Sequence, residues 1–347
     1  MKIALDAMGG DSAPASTVAG AWEALKKYPD IEIVLVGDEA RIEQELRTLG
    51  AWPMPKQFSI LHASQVVDMG DNATDAVRRK KDSSISRATE LLAKGDAEAL
   101  VSAGHTGALV TAATIRLRML PGVERPGIAA IMPANDRHFL VVDAGANVDC
   151  DPEHLLHYGI MGSVYSREVL KVKSPRVGLM NIGSEPNKGN ELTKAAYKLL
   201  EAAPIHFIGN VEGHDLFGEG VDVVVCDGFV GNVMLKSAER LAKAISGWLR
   251  SEIQKNPMSF AGGVLARSAF KSVRRRTSAE EYGGQPLLGV NGICIKAHGN
   301  SSAKAIRNAI RVAREAVTQK VNPSIVAAIS QFNDSQNAVL VEGNRET

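Results

Sequence analysis

The stretch Ala99-Leu-Val-Ser-Ala-Gly-His-Thr-Gly-Ala-Leu109 decides the fold class that this sequence predicts. Its first four residues, Ala99–Ser102, form a short apolar run of the kind that builds a buried strand. A glycine-bearing turn follows, and residues 105–119 then carry a helical pattern of apolar positions. A buried strand that passes through such a turn directly into a helix is the repeating unit of α/β proteins.

The same unit recurs along the chain. The apolar runs are continuous and rich in β-branched residues, as strands of a parallel sheet covered on both faces require. Because strands and helices alternate, we expect a Rossmann-like, doubly wound, mostly parallel α/β sheet with right-handed crossovers. The other predicted strands are Lys2–Leu5, Ile31–Val36, Phe139–Asp143, Val177–Asn181, His206–Ile208 and Val221–Cys226. The other predicted helices are Thr17–Lys27, Arg41–Leu49, Ser84–Ala93 and Leu192–Ala202.

Residues 233–282 depart from this alternation. Val233–Gln254 has the pattern of a long helix, Pro257 and a glycine pair interrupt it, and residues 265–276 are helical again. We predict a helical hairpin insertion that protrudes from a single α/β domain of residues 1–330. A last long helix is expected over residues 302–320, and the polar residues 331–347 are expected to form a disordered tail.

Composition limits the functions that remain. The 347 residues carry a net charge of +1, so no overall field favours nucleic acid as a partner. Cys150, Cys226 and Cys294 lack the spacing of a zinc site and are expected to be free thiols. The N-terminal residues lack a signal-peptide pattern, and no window approaches the roughly 20 apolar residues of a membrane-spanning helix. We therefore expect a cytoplasmic protein whose membrane contact is peripheral.

Six predicted strands end in polar turns that contain glycine. Ligands bind at the carboxyl ends of strands in open α/β sheets, so we expect these turns to form one rim. A single glycine turn serves chain reversal, but a set that also carries Asp, Asn and His indicates a binding site. The turns are Asp6–Asp11, Ser102–Gly107, Asp143–Asp149, Asn181–Glu185, Gly209–Gly213 and Asp227–Asn232.

The turn of residues 102–107 is a candidate anion site. Free backbone N–H groups at the start of the following helix, together with the hydroxyl of Thr106, can hold phosphate. His105 lies in the same turn. The alternative is a capping turn with an incidental histidine.

Three other turns carry side chains suited to an anion. Lys188 lies beside a glycine, and Asn232 follows Gly231 near a predicted helix start. Lys296 and His298 lie in a turn, residues 296–302, before the last long helix. The plainer alternatives are a solvated lysine, an N-cap asparagine and an ordinary helix cap.

The sequence predicts neither a cofactor nor a metal. Residues 6–11 offer one Gly-Gly pair rather than G-x-G-x-x-G, and no G-x-x-x-x-G-K-[ST] exists. Asp6, Asp11, Asp143 and Asp149 form no D-x-D-x-D-G loop, so we interpret them as turn residues.

The ordered set of motifs resembles the PlsX family of acyl-acyl carrier protein:phosphate acyltransferases over residues 1–320. Each motif is short, but their order along nearly the whole chain makes the resemblance specific. The motifs are DAMGGD (Asp6–Asp11), RRKKDSS (Arg78–Ser84), SAGHTGAL (Ser102–Leu109), DAGANVD (Asp143–Asp149), MGSVYS (Met161–Ser166), KGNELTK (Lys188–Lys194), FIGNVEG (Phe207–Gly213), DGFVGN (Asp227–Asn232), YGG (Tyr282–Gly284) and KAHGNSS (Lys296–Ser302).

The resemblance implies an enzyme that moves a fatty acyl group from acyl carrier protein onto inorganic phosphate in bacterial phospholipid synthesis. It implies a fold like that of isocitrate and isopropylmalate dehydrogenases and no cofactor. It also implies a homodimer that sits reversibly on the membrane and passes acyl phosphate to a membrane glycerol-phosphate acyltransferase. Lys188 and Asn232 match positions that the family is thought to use in catalysis.

The chemistry of the residues agrees with this reaction. Phosphate attack on a thioester needs no nucleophile on the enzyme, only oriented phosphate and donors for the oxyanion. We assign Lys188 to the charge of phosphate and oxyanion, and Asn232 to orientation of the carbonyl or phosphate. The expected phosphate- or substrate-binding residues are Gly9, Gly10, Ser102, Gly104, His105, Thr106, Gly107, Asn147, Asn190, Gly231 and His298.

The predicted hairpin has an apolar tip with basic flanks. This composition suits the surface of an anionic bilayer, and the basic face equally suits acidic acyl carrier protein. Packing against a second copy of the chain is the third alternative. The expected contact residues are Phe260, Val264, Leu265, Arg267, Lys271, Arg274 and Arg275.

Three other functions remain open. A phosphotransacetylase-like enzyme would use acyl-coenzyme A, and only the choice of donor separates it. An NAD-dependent decarboxylating dehydrogenase would need a carboxylate set for a metal and an arginine-rich site, and the motifs provide neither. A regulator or lipid-binding module would not need so many polar strand ends.

Overall fold

The computed structural model describes residues 1–343 except Asp136, Glu219 and Ser278, with side chains through Ser335 apart from Thr277 and Ala279. One sheet of 11 strands runs through this part of the chain. The strands are β1 (Lys2–Asp6), β2 (Glu32–Gly37), β3 (Phe58–His62), β4 (Ala99–Ser102), β5 (Gly127–Pro133), β6 (His138–Val142), β7 (Arg176–Met180), β8 (His206–Val211), β9 (Val223–Val225), β10 (Gln285–Leu288) and β11 (Ile293–Lys296).

Helices follow most of the strands. They are α1 (Ala15–Lys27), α2 (Glu39–Thr48), α3 (Ala73–Arg79), α4 (Ser84–Lys94), α5 (Thr106–Leu117), α6 (Pro152–Glu168), α7 (Glu191–Glu201), α8 (Gly228–Gln254), α9 (Pro257–Leu265), α10 (Arg267–Thr277), α11 (Ala279–Tyr282), α12 (Ala303–Thr318) and α13 (Val321–Gly343). The predicted α/β class is confirmed, and each predicted strand and helix has a counterpart within a few residues.

The sheet is mixed rather than parallel throughout. Its strand order is β3-β2-β1-β4-β11-β10-β5-β6-β9-β7-β8. The neighbouring strands β3, β2, β1, β4 and β11 form one parallel set. The neighbouring strands β6, β9, β7 and β8 form the other. Between the sets, β10 pairs antiparallel with β11 and β5, and β5 pairs antiparallel with β6.

The three antiparallel pairings reverse the strand direction between the two parallel sets. The turns after β1, β4 and β11 therefore leave one edge of the sheet, whereas those after β6, β7 and β9 leave the other. The prediction of one common rim was wrong, because β5 and β10, which were not predicted, lie between the sets. Gly209 was also misplaced, since it lies within β8 and not in a turn after it.

Both faces of the first set are covered by helices, as its continuous apolar strands predicted. Along β1, Ile3 and Leu5 pack with residues of α1 and α12, whereas Ala4 packs with residues of α4 and α5. Over the second set lies α6, in which 13 of 17 residues are buried, including Tyr158. Full burial of each large apolar side chain contributes roughly 1.5–3 kcal/mol, so these two layers hold the sheet in place.

Residues 233–282 are helical, as predicted. Helix α8 continues to Gln254, α9 begins at Pro257, and the side chain of Asn256 caps α9 by accepting from Ser259 N at 2.8 Å. None of the nine residues of α9 is buried. Whether these helices protrude as a hairpin from the body stays a prediction.

The C-terminal end differs from the expected disordered tail. Helix α13 runs from Val321 to Gly343, so that expectation was wrong for residues 331–343. Apolar residues at helical spacing, Ile325, Ile329 and Phe332, are buried in the cluster that contains α6, and this burial supports the helix. Among the residues described above, no helix is both long enough and apolar enough to cross a membrane.

Candidate active site

The ends of β1, β4 and β11 bring a row of polar residues together. The parallel register places Asp6 beside Ser102 and Ser102 beside Lys296, so their side chains share one face of the sheet. Ser102 Oγ donates to Asp6 Oδ2 at 2.6 Å and accepts from Gly104 N at 3.1 Å. Burial raises the pKa of Asp6, and the hydrogen bond from Ser102 opposes this shift.

Glycine is required where the turns of this row touch. A Cβ atom on Gly9 would lie 2.6 Å from Gly104 N and 2.5 Å from Asp6 Oδ2. Gly10 has a φ of +112°, and the next residue, Asp11, donates its N–H to Gly299 O at 2.7 Å. The predicted residues Gly9, Gly10 and Gly104 therefore lie together, close to the turn that carries His298.

His105 has a structural role in this turn. It is the N-cap of α5, and its Nδ1 atom accepts from Ala108 N at 3.1 Å. Thr106 and Gly107 form the first turn of α5, whose free N–H groups point toward the end of β4. The alternative of a capping histidine therefore describes the observed side chain, and the anion-binding potential of the turn lies in its backbone.

The end of β6 forms the second group. The carboxylate of Asp143 is buried and accepts from the backbone N–H groups of Ile128, Gly145, Ala146 and Asn147 at 2.7–3.0 Å. Burial raises the pKa of Asp143, and the four N–H donors oppose the shift. A buried acid satisfied in this way fixes the conformation of residues 143–147.

The side chain of Asn147 makes hydrogen bonds within the protein. Its Nδ2 atom donates to Pro126 O at 2.5 Å and to Tyr158 Oη at 2.8 Å. The backbone carbonyl of Asn147 accepts from Gly228 N at 2.7 Å. The geometry therefore gives Asn147 the task of attaching the end of β6 to the start of α8. Asn190 is similarly engaged, because its Oδ1 atom caps α7 by accepting from Thr193 N at 2.9 Å.

Helix α8 begins directly over residues 143–147. Asp227 is its N-cap, accepting from Val230 N at 2.8 Å, so Asn232 lies in the second turn and is not a cap. A Cβ atom on Gly231 would lie 1.9 Å from Asp143 O, so only glycine allows this approach. The close contact presents Asn232, which is exposed, beside Gly145.

One turn further along, α8 reaches the first group. Lys236 Nζ lies 2.8 Å from His298 Nε2 and 3.1 Å from Glu239 Oε2, and His298 Nε2 lies 3.3 Å from Glu239 Oε1. Residues 232, 236 and 239 follow the spacing of one helix face, so Asn232 and His298 face the same region. Helix α8 therefore crosses from one set of strand ends to the other, and we call the region beside it, between the two sets, the crevice.

The charges in this contact are strongly coupled. Burial alone would raise the pKa of Glu239, but the hydrogen bond with His298 and the charge of Lys236 lower it to about 2. Glu239 is therefore ionised at neutral pH and holds Lys236 and His298 at the crevice.

Lys188 belongs to the second set of strand ends. It lies in the loop between β7 and α7, its side chain is exposed, and its carbonyl accepts from Asn181 Nδ2 at 3.1 Å. Strand β9 separates β7 from β6, and their carboxyl ends share one edge, so Lys188 and Asn232 lie on that edge. The structure thus places the two predicted catalytic residues on the same side of the crevice.

Three charged residues of this site were missed or left without a role. Lys236 and Glu239 were not predicted, although their spacing from Asn232 was a usable signal. Lys296 was identified as suited to an anion, in the turn that carries His298, but it was given no role in the reaction. In the part of the chain that is described, no group of three or more His, Cys, Asp or Glu residues is arranged to hold a metal ion.

The fold is that of the phosphotransacylases. A phosphotransacetylase from Streptococcus pyogenes superposes with a TM-score of 0.57 at 17% identity, covering 95% of this chain and 94% of that chain. A branched-chain phosphotransacylase from Enterococcus faecalis V583 superposes with a TM-score of 0.53 at 14% identity, covering 91% and 98%. At these identities the likeness concerns the fold.

Sequence similarity then gives the family. The model of the fatty acid synthesis protein family matches residues 1–324. The phosphate acyltransferase of Pelotomaculum thermopropionicum is 50% identical over 332 residues, which cover 96% of each chain. That of Thermodesulfovibrio yellowstonii is 45% identical over 346 residues, covering 98% of each. The chain belongs to this family, the PlsX family, and it is a phosphate acyltransferase.

Proposed function

We propose that this acyltransferase moves a fatty acyl group from acyl carrier protein to inorganic phosphate and supplies acyl phosphate for phosphatidic acid synthesis. The observation that carries the proposal is the bridge formed by α8. It joins Asn232, at one set of strand ends, to the Lys236–His298 contact at the other. Cationic and amide donors therefore face one crevice from both sides, as a phosphate and a thioester carbonyl held together would require.

The reaction needs two contributions from the protein. A phosphate oxygen attacks the thioester carbon, the C–S bond breaks, and the proton of the phosphate ends on the leaving thiolate, giving acyl phosphate and free carrier thiol. Holding phosphate against the carbonyl supplies roughly 7–11 kcal/mol. Each fixed donor to the oxyanion supplies roughly 3–4 kcal/mol.

The residues of the crevice divide these tasks. His298, Lys236 and the N–H groups at the start of α5 hold phosphate. Asn232 orients the thioester carbonyl from one turn earlier on α8, and Lys188 stabilises the charge of the oxyanion. The N-cap roles of His105 and Asn190 and the hydrogen bonds of Asn147 support the crevice and need not contact the substrate.

Acyl carrier protein as donor is supported by a basic helix. Residues 267–276 of α10 contain five Lys or Arg residues and no acid. Arg267, Lys271, Arg274 and Arg275 supply four of these charges, and all four side chains are exposed. An acidic carrier would be attracted to this surface. The likeness of the fold to phosphotransacetylases makes acyl-coenzyme A the second candidate donor.

Peripheral membrane contact is supported by the adjoining helix. Phe260, Val264 and Leu265 lie on α9, where they are 56%, 56% and 87% exposed, and the basic helix α10 follows directly. Apolar side chains flanked by cations suit the interface of an anionic bilayer. We propose that this surface places the enzyme where a membrane glycerol-phosphate acyltransferase consumes its product. We also propose that the enzyme forms a homodimer and that its fold resembles that of isocitrate dehydrogenases.

The reaction is tested by trapping its product. The protein is incubated with palmitoyl-acyl carrier protein and phosphate, and acyl phosphate is captured with hydroxylamine. Parallel incubations contain palmitoyl-coenzyme A or NAD in place of the carrier-protein thioester. We expect product from the carrier-protein thioester. The variants K188A and N232A should lose at least about 100-fold in turnover, as removal of an oxyanion donor does. The matched control K198A changes an exposed lysine of α7. Near-normal turnover by K188A would remove its assignment.

Membrane contact is tested by flotation with vesicles of anionic phospholipid. Replacement of Phe260, Val264 and Leu265 by Ser should abolish flotation, whereas M69S, which changes another exposed apolar residue, should not. Flotation that survives the triple replacement would remove the membrane role of this surface.

A further inference from the structure

Lys296 ends a row of polar residues that crosses three strands. The register pairs Lys296 on β11 with Ser102 on β4, and Ser102 with Asp6 on β1. Neighbouring strands are about 4.8 Å apart, so the lysine stands next to the turn that opens helix α5. Its own strand continues directly into His298. This position gives the Lys296 ammonium group access to the corner where α8 meets the first set of strand ends.

The cations at this corner outnumber the carboxylates that balance them. Glu239 forms an ion pair with Lys236 and a hydrogen bond with His298. Lys296 has no ion pair with any carboxylate of the described residues, although the charges of Lys236 and Glu239 both act on it. Asp6, at the other end of the row, is hydrogen-bonded to Ser102. Two lysines therefore interact with one carboxylate at this corner.

The environment of Lys296 disfavours its charge. Burial and the neighbouring Lys236 lower the pKa of Lys296 to about 8, and Glu239 opposes the shift. The charges of Lys236 and Glu239 on α8 act on the amine. In the sheet, Lys296 lies opposite Ser102 of β4 and Gln285 of β10, with Asp6 of β1 one strand beyond Ser102, and His298 follows two residues later. Burying an ammonium group without its own counter-ion costs free energy, and a bound dianion would offset that cost.

We propose that Lys296 contacts the acceptor phosphate and forms with Lys236 a two-lysine site at this corner. The inference rests on the proposed function, because it takes phosphate as the acceptor. It adds a residue to the site and links phosphate affinity to pH. Above neutral pH the free enzyme loses the Lys296 proton, and phosphate must bind an enzyme that has first regained it.

The first test uses the unmodified protein and inorganic phosphate alone. Calorimetric titrations at pH 8 in two buffers of different ionisation enthalpy give the number of protons taken up on binding. Phosphate is already a dianion at this pH, so uptake reports on the protein. We expect uptake of a fraction of a proton per phosphate, because a pKa of about 8 leaves Lys296 partly deprotonated in the free protein at this pH. No uptake would overturn the inference.

The second test separates the two substrates. K296M should raise the KM for phosphate about 10- to 100-fold, the effect of losing a charge-assisted hydrogen bond, and leave the KM for acyl-acyl carrier protein within about twofold. K296R keeps the charge at high pH, so it should restore phosphate binding and remove the rise in KM between pH 7 and pH 9. The control K56M, an exposed lysine elsewhere, should match the wild type.

The outcomes distinguish the two hypotheses. The inference stands only if proton uptake and the selective change in the phosphate KM both appear, and the failure of either overturns it. A wild-type protein that binds phosphate with proton uptake but forms no acyl phosphate would overturn the proposed function and leave the two-lysine site in place.

Discussion

Replacement of Gly231 by Ala tests how α8 is positioned over the end of β6. The added Cβ would lie 1.9 Å from Asp143 O and 3.0 Å from Cys226 Sγ, so the helix or the turn must move. Neither yields easily, because the carboxylate of Asp143 is held by four backbone N–H groups and Asn147 binds the start of the helix. Overpacking typically costs about 1–3 kcal/mol, and a backbone clash belongs at the upper end. We expect a loss of about 3 kcal/mol.

Equilibrium urea denaturation measures this loss, and the same helix supplies the control. Gly247 lies in an exposed part of α8 with no atom within 4 Å of its added Cβ. G247A should therefore stabilise the protein by about 0.5–1 kcal/mol, the helix preference of Ala over Gly. G231A should also reduce turnover by at least about tenfold, because Asn232 moves with the helix. If G231A and G247A were equally stable and active, the contact with Asp143 would not position the site.

Three further predictions concern single side chains. H105A should lose about 1 kcal/mol of stability by urea denaturation, whereas H105N, which can still cap α5, should lose almost none; equal losses would contradict the cap. The lowered pKa of Glu239 gives stability that is present above pH 4.5 and lost as the pH falls toward 2. E239Q should flatten that part of the pH dependence, and an unchanged profile would refute the coupling. Burial raises the pKa of Cys150 to about 11, so mass-spectrometric mapping should find its alkylation at pH 7.5 about 100-fold slower than for a free thiol. Equally fast alkylation would be inconsistent with this.

Much of the fold was predictable because local pattern and tertiary structure agree. The strands that carry Ile3, Val34 and Val141 are short, apolar and flanked by clear turns, and each lies near its predicted position. Strands β3, β5, β10 and β11 were not predicted. Strand β10 contains Pro286, which ordinarily argues against a strand between two neighbours.

These omissions explain why the sequence predicted one common rim for the six turns. Strand β10 is antiparallel to both neighbours, and together with β5 it reverses the second set, which no local pattern reveals. The motifs and the resemblance together pointed to Lys188, Asn232 and His298, but they could not show that α8 crosses between the two sets. Lys236 owes its role to this crossing, because it meets His298, which lies 62 residues away along the chain.

Side chains with hydrogen-bonding roles were the other source of error. Asn147 and Asn190 have the chemistry of phosphate ligands, yet both are used within the protein. The sequence cannot distinguish these uses, because capping and anion binding draw on the same donors and acceptors. Burial and partner distances decide between them.

The central claim is that one anion lies in the crevice bridged by α8, and a crystal grown with arsenate tests it most directly. Anomalous scattering from arsenic locates this phosphate analogue without reference to the protein atoms. The account predicts one dominant peak within hydrogen-bond distance of Lys296, Lys236 or His298, on the side of α8 that carries Asn232. A dominant peak elsewhere, with this corner empty, would contradict it.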